Sequence, residues 1–567
     1  MAVKISNKEQ LYNGLMDLNT HYRNVIVDIE VVIDPSVINW KYKIIENVVF
    51  NHFVRVNEVN LNDGLVFINC EFKSGIAFNE VNSSTDLETT NPYNCSVLFS
   101  NCKGQHIFLG YKNIFRRSFI IDFNSEFERI TVNTAVVENG FKIKDSKIKS
   151  NLDITRGGFE LELRNTAIDG NLRVESLKGD ITILKCKITE WCRFWNVECP
   201  KSFTLNDNMF DGTFKIEASK IKGLFIHRDI FNKKFELENR DLHGTNKAKC
   251  DEIFITEAKF VEGADFDGLG DPIKKITLRL SPSFEGVLNF NGWKVDNLQV
   301  SGINQNLKLL FNRMIFRFVL FNNFTNYADL SFVKCSATSD SPLNLSNSDF
   351  GSARFNEFDF GSFDVIRIDN VSLDNIKASN VKWFDNKKIE MISNVSEVDK
   401  QRGIREISRQ LKHALSRSGN EIDSLLFKAR EMEAYRNELK NSGKTYRWTD
   451  KLIMAVNRSN NYGLSWWKPT WIIFFITLGF YLIMLPAFSN QIDYTLAKSW
   501  EEVVYFFREI FNNLDVFWQM FNPARKFSST FGQIENGWLQ FLDLIHRIIL
   551  GVFIYQIIRG FRRLSSK

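Results

Sequence analysis

The segment IKSNLDI (148–154) returns as IDGNLRV (168–174), ITEWCRF (188–194), FDGTFKI (210–216) and FNKKFEL (231–237), and this return decides the fold. Each copy places an apolar residue, three others, a second apolar residue, one other and a third apolar residue. The triplets are Ile148/Leu152/Ile154, Ile168/Leu172/Val174, Ile188/Cys192/Phe194, Phe210/Phe214/Ile216 and Phe231/Phe235/Leu237. Their leading residues are 20, 20, 22 and 21 apart, and a sixth copy, Phe260/Ala264/Phe266, follows an insertion that contains Leu242 to Cys250. Short alternating segments such as Phe159-Glu160-Leu161-Glu162-Leu163 run between copies. A period of about 20–21 residues built from strand-like pieces makes each period one coil of a β-solenoid, right- or left-handed, that buries its apolar face only by stacking on its neighbours.

Downstream the pattern tightens to five residues. Leu345, Phe350, Phe355 and Phe360 recur at that spacing, Ser348, Ala353 and Phe358 precede them by two, and Leu330 and Cys335 fit the same register. Four such faces make a twenty-residue square coil. In Tyr327-Ala328-Asp329-Leu330 and Asn347-Ser348-Asp349-Phe350-Gly351-Ser352-Ala353-Arg354-Phe355 the chain resembles pentapeptide-repeat proteins. Residues 1–395 are therefore expected to form a mainly β solenoid of about fifteen to eighteen turns, roughly 70–85 Å long at the strand spacing of a sheet. The helix-like Lys8 to Leu18 would cover one end and the helical chain after Val395 the other. Composition agrees: of 567 residues 52 are Phe and only 9 are Pro, as an internal ladder of stacked rings with few rigid turns requires.

The formal charge of +5 is unevenly spread: from Glu397 onward 24 basic residues face 16 acidic ones, against 48 and 51 before it. A slightly acidic body argues against nucleic acid as a partner, and a basic C-terminal third suits the surface of an anionic membrane. Met1 to Arg23 lacks the apolar core of a secretory signal, so the start is expected in the cytosol. The eight cysteines, Cys70 to Cys335, contain no C-x-x-C pair and read as buried thiols in a reducing compartment.

From Asp399 the period becomes helical, with Ile404, Ile407, Leu411 and Leu415 on one stripe and Arg402, Arg405, Arg409, Lys412 and Arg417 elsewhere on the cylinder. Ser418-Gly419-Asn420 interrupts it. A second helix then carries Ile422, Leu425, Leu426, Ala429, Met432 and Tyr435 to about Lys440, which predicts an αα-hairpin neck over 396–443. Its phrases Arg405-Glu-Ile-Ser-Arg-Gln-Leu-Lys412 and Phe427-Lys-Ala-Arg-Glu-Met-Glu-Ala-Tyr-Arg436 resemble the linker of bacterial membrane proteins with pentapeptide-repeat-like bodies. That resemblance implies a membrane protein, of a kind sometimes called channel-like.

Residues 444–567 read as a membrane module. TWIIFFITLGFYLIMLPAF (470–488) carries no charge and follows Trp466-Trp467-Lys468-Pro469, an aromatic belt with a helix-starting proline. A second span over 538–558 contains Asp543, His546 and Arg547 before a clean apolar run, and ends in Arg559, Arg562, Arg563 and Lys567. Lys444, Arg447, Lys451, Arg458 and Lys468 precede the first span, while the intervening 489–537 carries four basic and six acidic residues. The positive-inside rule then places both termini in the cytoplasm, with Arg458, Lys468, Arg559, Arg562 and Arg563 facing the membrane there and the solenoid attached to the inner membrane. Trp466, Trp467, Trp500, Trp518 and Trp538 are the interfacial aromatics. The aromatic segment from Lys498 to Phe521 reads as a helix flat in the interface or as a re-entrant helix, since span, short helix, span is the order of two-span cation channels; no Thr-Val-Gly-Tyr-Gly filter is present.

Arg547 falls near the middle of the second span, where a charge must be paired or wetted. At 100° per residue Gln540, Asp543, His546 and Arg547 share an arc of roughly 120°, and Asp543 and Arg547 can pair at i,i+4. Several such helices would surround a polar passage; alternatively Arg547 snorkels, or the pair locks a helix dimer. Gly443-Lys444-Thr445 lacks the earlier glycine of a P-loop, the Asp265-to-Asp271 loop lacks a full calcium ligand set, and His21, His52, His106, His227 and His243 have no metal spacing. No catalytic residue, cofactor or metal is expected. The reading is a homo-oligomeric, ion-channel-like or membrane-perturbing effector whose solenoid senses or docks a protein partner, with defence against phage a fitting role. Its rival is a membrane-tethered scaffold that conducts nothing, and an enzyme on the solenoid is a distant third.

Overall fold

A computed structural model describes residues 3–16, 22–35, 43–61, 64–83, 93–238, 249–391, 396–441, 448–489, 500–532 and 537–565. The chain divides into two compact units, Met1–Ile392 and Ser393–Lys567. The 242–248 part of the insertion and the Gly443-Lys444-Thr445 motif lie outside the described residues.

The first unit is a parallel β-solenoid of about 16 turns. All its strands pair in parallel in one continuous sheet. The repeat sets the register: Ile148 pairs with Ile168, Ile168 with Ile188, Ile188 with Phe210, Phe210 with Phe231 and Phe231 with Phe260. The second positions, Leu152, Leu172, Cys192, Phe214, Phe235 and Ala264, pair in the same order, and so do the third. Every one of these side chains is buried. The average coil, 22 residues, is slightly longer than the 20–21 read from the sequence. Residues 148–188 hold the two tightest coils, whereas the Phe67–Phe99 and Ile226–Ile255 pairings join residues farther apart in sequence.

Inside, Phe214, Phe235, Phe266, Phe290, Phe311, Phe332 and Phe355 stack ring on ring, with centroids 4.9–5.7 Å apart. Stacking of this kind adds to area burial and pins the register of parallel strands. The five-residue stretch is part of the same core, with Leu345, Phe350, Ala353, Phe355, Phe358 and Phe360 all buried.

Few prolines are needed because single left-handed residues turn the corners. Asn69, Asn101, Asn124, Asp145, Asn165, Lys185, Asp207 and Arg228 all have φ between 45 and 57°, a region in which Asn and Asp are enriched. The residue after each is small and polar, and at several corners it donates inward to a carbonyl of the coil below. Cys70 Sγ reaches Ile45 O at 3.3 Å, Ser125 Oγ reaches Phe99 O at 3.3 Å, Thr166 Oγ1 reaches Ile143 O at 3.2 Å and Asn208 Nδ2 reaches Ile183 O at 2.7 Å. Cysteine is one more small donor at this corner. All eight cysteines are buried free thiols, and burial pushes Cys186, Cys250 and Cys335 up to about 12, far from a reactive thiolate. Near the N-terminus α1 (Lys8–Met16) packs on the first strand and buries Leu11.

The second unit is helical. α2 (Glu397–Arg417) and α3 (Glu421–Asn441) form the hairpin, with Ser396 capping α2 through its side chain and Gly419 turning at φ 79°. Ile404, Ile407, Leu411 and Leu415 face the partner helix, and Glu438 pairs with Arg402 at 3.3 Å and Arg405 at 2.7 Å. A helix not read from the sequence, α4 (Trp448–Ser459), follows. Then come α5 (Trp467–Phe488), α6 (Trp500–Asn512), α7 (Leu514–Gln519), α8 (Phe527–Phe531) and α9 (Gly537–Ser565). α5 and α9 are long and apolar enough to cross a membrane. Both exceed the apolar runs that announced them, because Trp467-Lys468-Pro469 forms the first turn of α5 and the basic tail continues α9.

Candidate functional site

α5 and α9 run antiparallel. Trp466 stacks on Phe561 with centroids 5.1 Å apart at one end, and Thr477 Oγ1 lies 3.2 Å from His546 Nε2 midway. Gly560 lets them close at the first end, since a Cβ there would stand 3.0 Å from the Trp466 nitrogen. At that end Asn460, fully buried, donates through Nδ2 to Gln556 Oε1 at 2.5 Å, and Arg559 Nη1 donates to Asn457 Oδ1 at 2.9 Å.

The segment between the helices folds back along α5 instead of bridging their far ends directly. Ser489 Oγ, just past α5, donates to Glu509 Oε2 at 2.8 Å, and Tyr481 Oη donates to Ile510 O at 2.8 Å. Phe517 packs on Tyr481 at 5.4 Å and on Phe474 at 5.8 Å, and Phe521 reaches Phe474 at 6.5 Å. Phe474 lies about 22 Å of helix before Ser489 at 1.5 Å per residue. Asn522-Pro523 then reverses the chain, and Phe531 returns to Phe488 at 5.6 Å. Tyr481, Met484, Leu485, Phe517, Met520 and Phe531 form the apolar core of this fold-back.

Its turn carries Arg525, which the sequence reading did not single out. The side chain is 3% exposed and pairs with Asp543, whose other oxygen pairs with Arg547. Arg525 Nη2 also lies 3.2 Å from His546 Nδ1, and its Nη1 donates to Met520 O at 2.6 Å. One carboxylate is thus shared by two guanidiniums, while His546 is bracketed by Arg525 and Thr477. Both ring nitrogens have partners, and the Phe480 ring lies 5.0 Å away. The i,i+4 pair of Asp543 and Arg547 forms as its spacing predicts.

The four polar residues of the α9 arc separate. Asp543 and His546 are buried within the chain, the Arg547 side chain is 27% exposed, and Gln540 is exposed. Trp467, Trp500, Trp518 and Trp538 are exposed at helix ends and on α7, and Trp466 is exposed on one face while the other stacks on Phe561. Arg458 and Lys468 line one cavity, Arg559 joins α4 as described, and Arg562 is exposed. The Arg563 side chain lies outside the described residues. The signal that would have found Arg525 is the Arg525-Lys526 pair of cations just past Asn522-Pro523 in an aromatic, apolar segment flanked by two candidate spans. Comparison of the chain with protein-family models, curated proteins and solved structures finds no significant match.

Proposed function

We propose that this chain is a membrane-anchored, non-enzymatic effector of bacterial inner-membrane type, in which α5 and α9 cross the bilayer, both termini face the cytoplasm and 514–531 dips in as a re-entrant segment. Copies assemble through this module into an ion-conducting or membrane-perturbing form, gated by a protein partner on the cytoplasmic solenoid through the α2–α3 neck. The observation that carries the reading is the Arg525–Asp543–Arg547–His546 cluster packed beside two helices long and apolar enough to cross a membrane. Charges in that position are costly and mark ion pathways when membrane proteins keep them. With two guanidiniums against one carboxylate the cluster bears excess positive charge, so anions are the expected permeant class.

The test is flux from liposomes holding the full-length protein, read separately for chloride and potassium, beside Arg547→Leu. Chloride flux that the variant loses supports conduction; potassium flux in place of chloride, or flux unchanged in the variant, contradicts it. A second reading has its own observation. Asp543 and His546 are satisfied inside one chain, as suits a lock that holds the fold-back in place, and the solenoid would then be a tethered scaffold.

A further inference from the structure

We propose that the cavity between α3, α4 and the start of α5 is a headgroup site for an anionic phospholipid with two phosphates, of the diphosphatidylglycerol type. The inference rests on the reading that α5 and α9 cross a bilayer.

The cavity holds about 1170 Å³. Arg436 and Lys440, one helical turn apart on α3, line one wall, Lys451 and Arg458, two turns apart on α4, line another, and Lys468 closes it from α5. Glu433 is the one acid in the lining; it is already engaged, with Arg436 at 3.5 Å and the Tyr462 hydroxyl at 3.0 Å. No described carboxylate pairs with Lys440, Arg458 or Lys468. With five cations and one acid the lining carries excess positive charge, three of the cations face no described carboxylate, and ammonium and guanidinium groups from three helices offer donors to more than one phosphate.

The surroundings are those of a lipid rather than a soluble ligand. Trp467 and Trp471 border the cavity on the first turns of α5, packed edge to face at 5.5 Å, where indoles sit at headgroup level. Beside it α4 exposes Trp448, Leu452 and Ile453, an apolar edge along which acyl chains can lie. A basic pocket at one end of a pair of spans is how lipids with charged headgroups are selected over bulk lipid.

The full-length protein, reconstituted in phosphatidylcholine nanodiscs doped with diphosphatidylglycerol or with phosphatidylglycerol, is released and its retained lipid read by native mass spectrometry. Wild type should keep diphosphatidylglycerol in preference. The double variant Arg458→Gln/Lys468→Gln should weaken retention about thirtyfold, from roughly fivefold for each cation removed, while Arg508→Gln, on α6, should retain it as wild type does. Equal loss in Arg508→Gln, no preference over phosphatidylglycerol, or retention unchanged in the double variant overturns the site. So does tighter binding of inorganic pyrophosphate that diphosphatidylglycerol fails to displace. Resistance to alkaline carbonate extraction, measured on the same samples, reports bilayer crossing separately, so an inserted protein without bound lipid sinks the lipid site alone.

Discussion

Asp543 answers two guanidiniums, and its removal would leave Arg525 buried and without its counter-charge. Breaking a buried pair in this way costs about 3–5 kcal/mol, whereas removing one interhelical hydroxyl costs about 1 kcal/mol. Asp543→Ala should therefore lower the thermal midpoint of the detergent-solubilised protein far more than Thr477→Val; small and equal shifts would show that the cluster does not hold the module. Asp229, in the solenoid, titrates instead of pairing. Burial raises its carboxyl from 3.8 to about 7, against hydrogen bonds from the Asn208 backbone and side chain and the His227 backbone. The native form then keeps a proton that the unfolded chain has released between about pH 4 and about pH 7, so stability falls as pH rises through that window, by at most roughly 4 kcal/mol. Urea titrations of wild type and Asp229→Asn should diverge in this direction, and parallel curves would refute it. The two residues also mark what a sequence discloses. Arg547 announces its partner four positions away, but Arg525 meets Asp543 across 18 residues and between elements, where no periodicity points.

A coil is the unit of the first domain, and its independence is testable. Ile148, Ile168 and Ile188 occupy successive rungs at equal spacing, so deleting residues 168–187 brings Ile188 onto Ile148 with every inward position preserved. Each repeat contacts only its neighbours. The shortened protein should keep its β-sheet circular dichroism and unfold cooperatively, while deletion of 168–177 alone should abolish both; the opposite ranking would mean the register is not carried by the triplets. The triplets were legible because inward positions must be apolar in every coil. The corner column was not, since Cys, Ser, Thr and Asn share no hydropathy, and only the preceding residue, as in Asn69-Cys70, Asn101-Cys102, Asp145-Ser146 and Asn165-Thr166, links them. α4 escaped notice for a related reason: its apolar residues Trp448, Leu452 and Ile453 are exposed, so no buried stripe marks it. The fold-back likewise has aromatic residues on both sides, and no periodicity marks its packing along α5 through the contacts of Phe517 and Phe521 with Phe474.

At the scale of the molecule, the proposed conduction and the proposed lipid site rest on one proposed arrangement: a chain that crosses at α5, dips and returns between 500 and 531, and crosses back at α9. Its chemistry favours a direct test. All eight native cysteines are buried in the N-terminal unit, so cysteines introduced in the helical unit can be labelled against a quiet background. Glu502, Ser528 and Lys428 are exposed, at either end of the fold-back and on the neck. The decisive measurement is labelling of Glu502→Cys, Ser528→Cys and Lys428→Cys by a membrane-impermeant maleimide in sealed vesicles of known orientation. Labelling of Glu502→Cys and Ser528→Cys from one face and of Lys428→Cys from the other is the result expected; Glu502→Cys and Ser528→Cys on opposite faces, or all three on the same face, would contradict it.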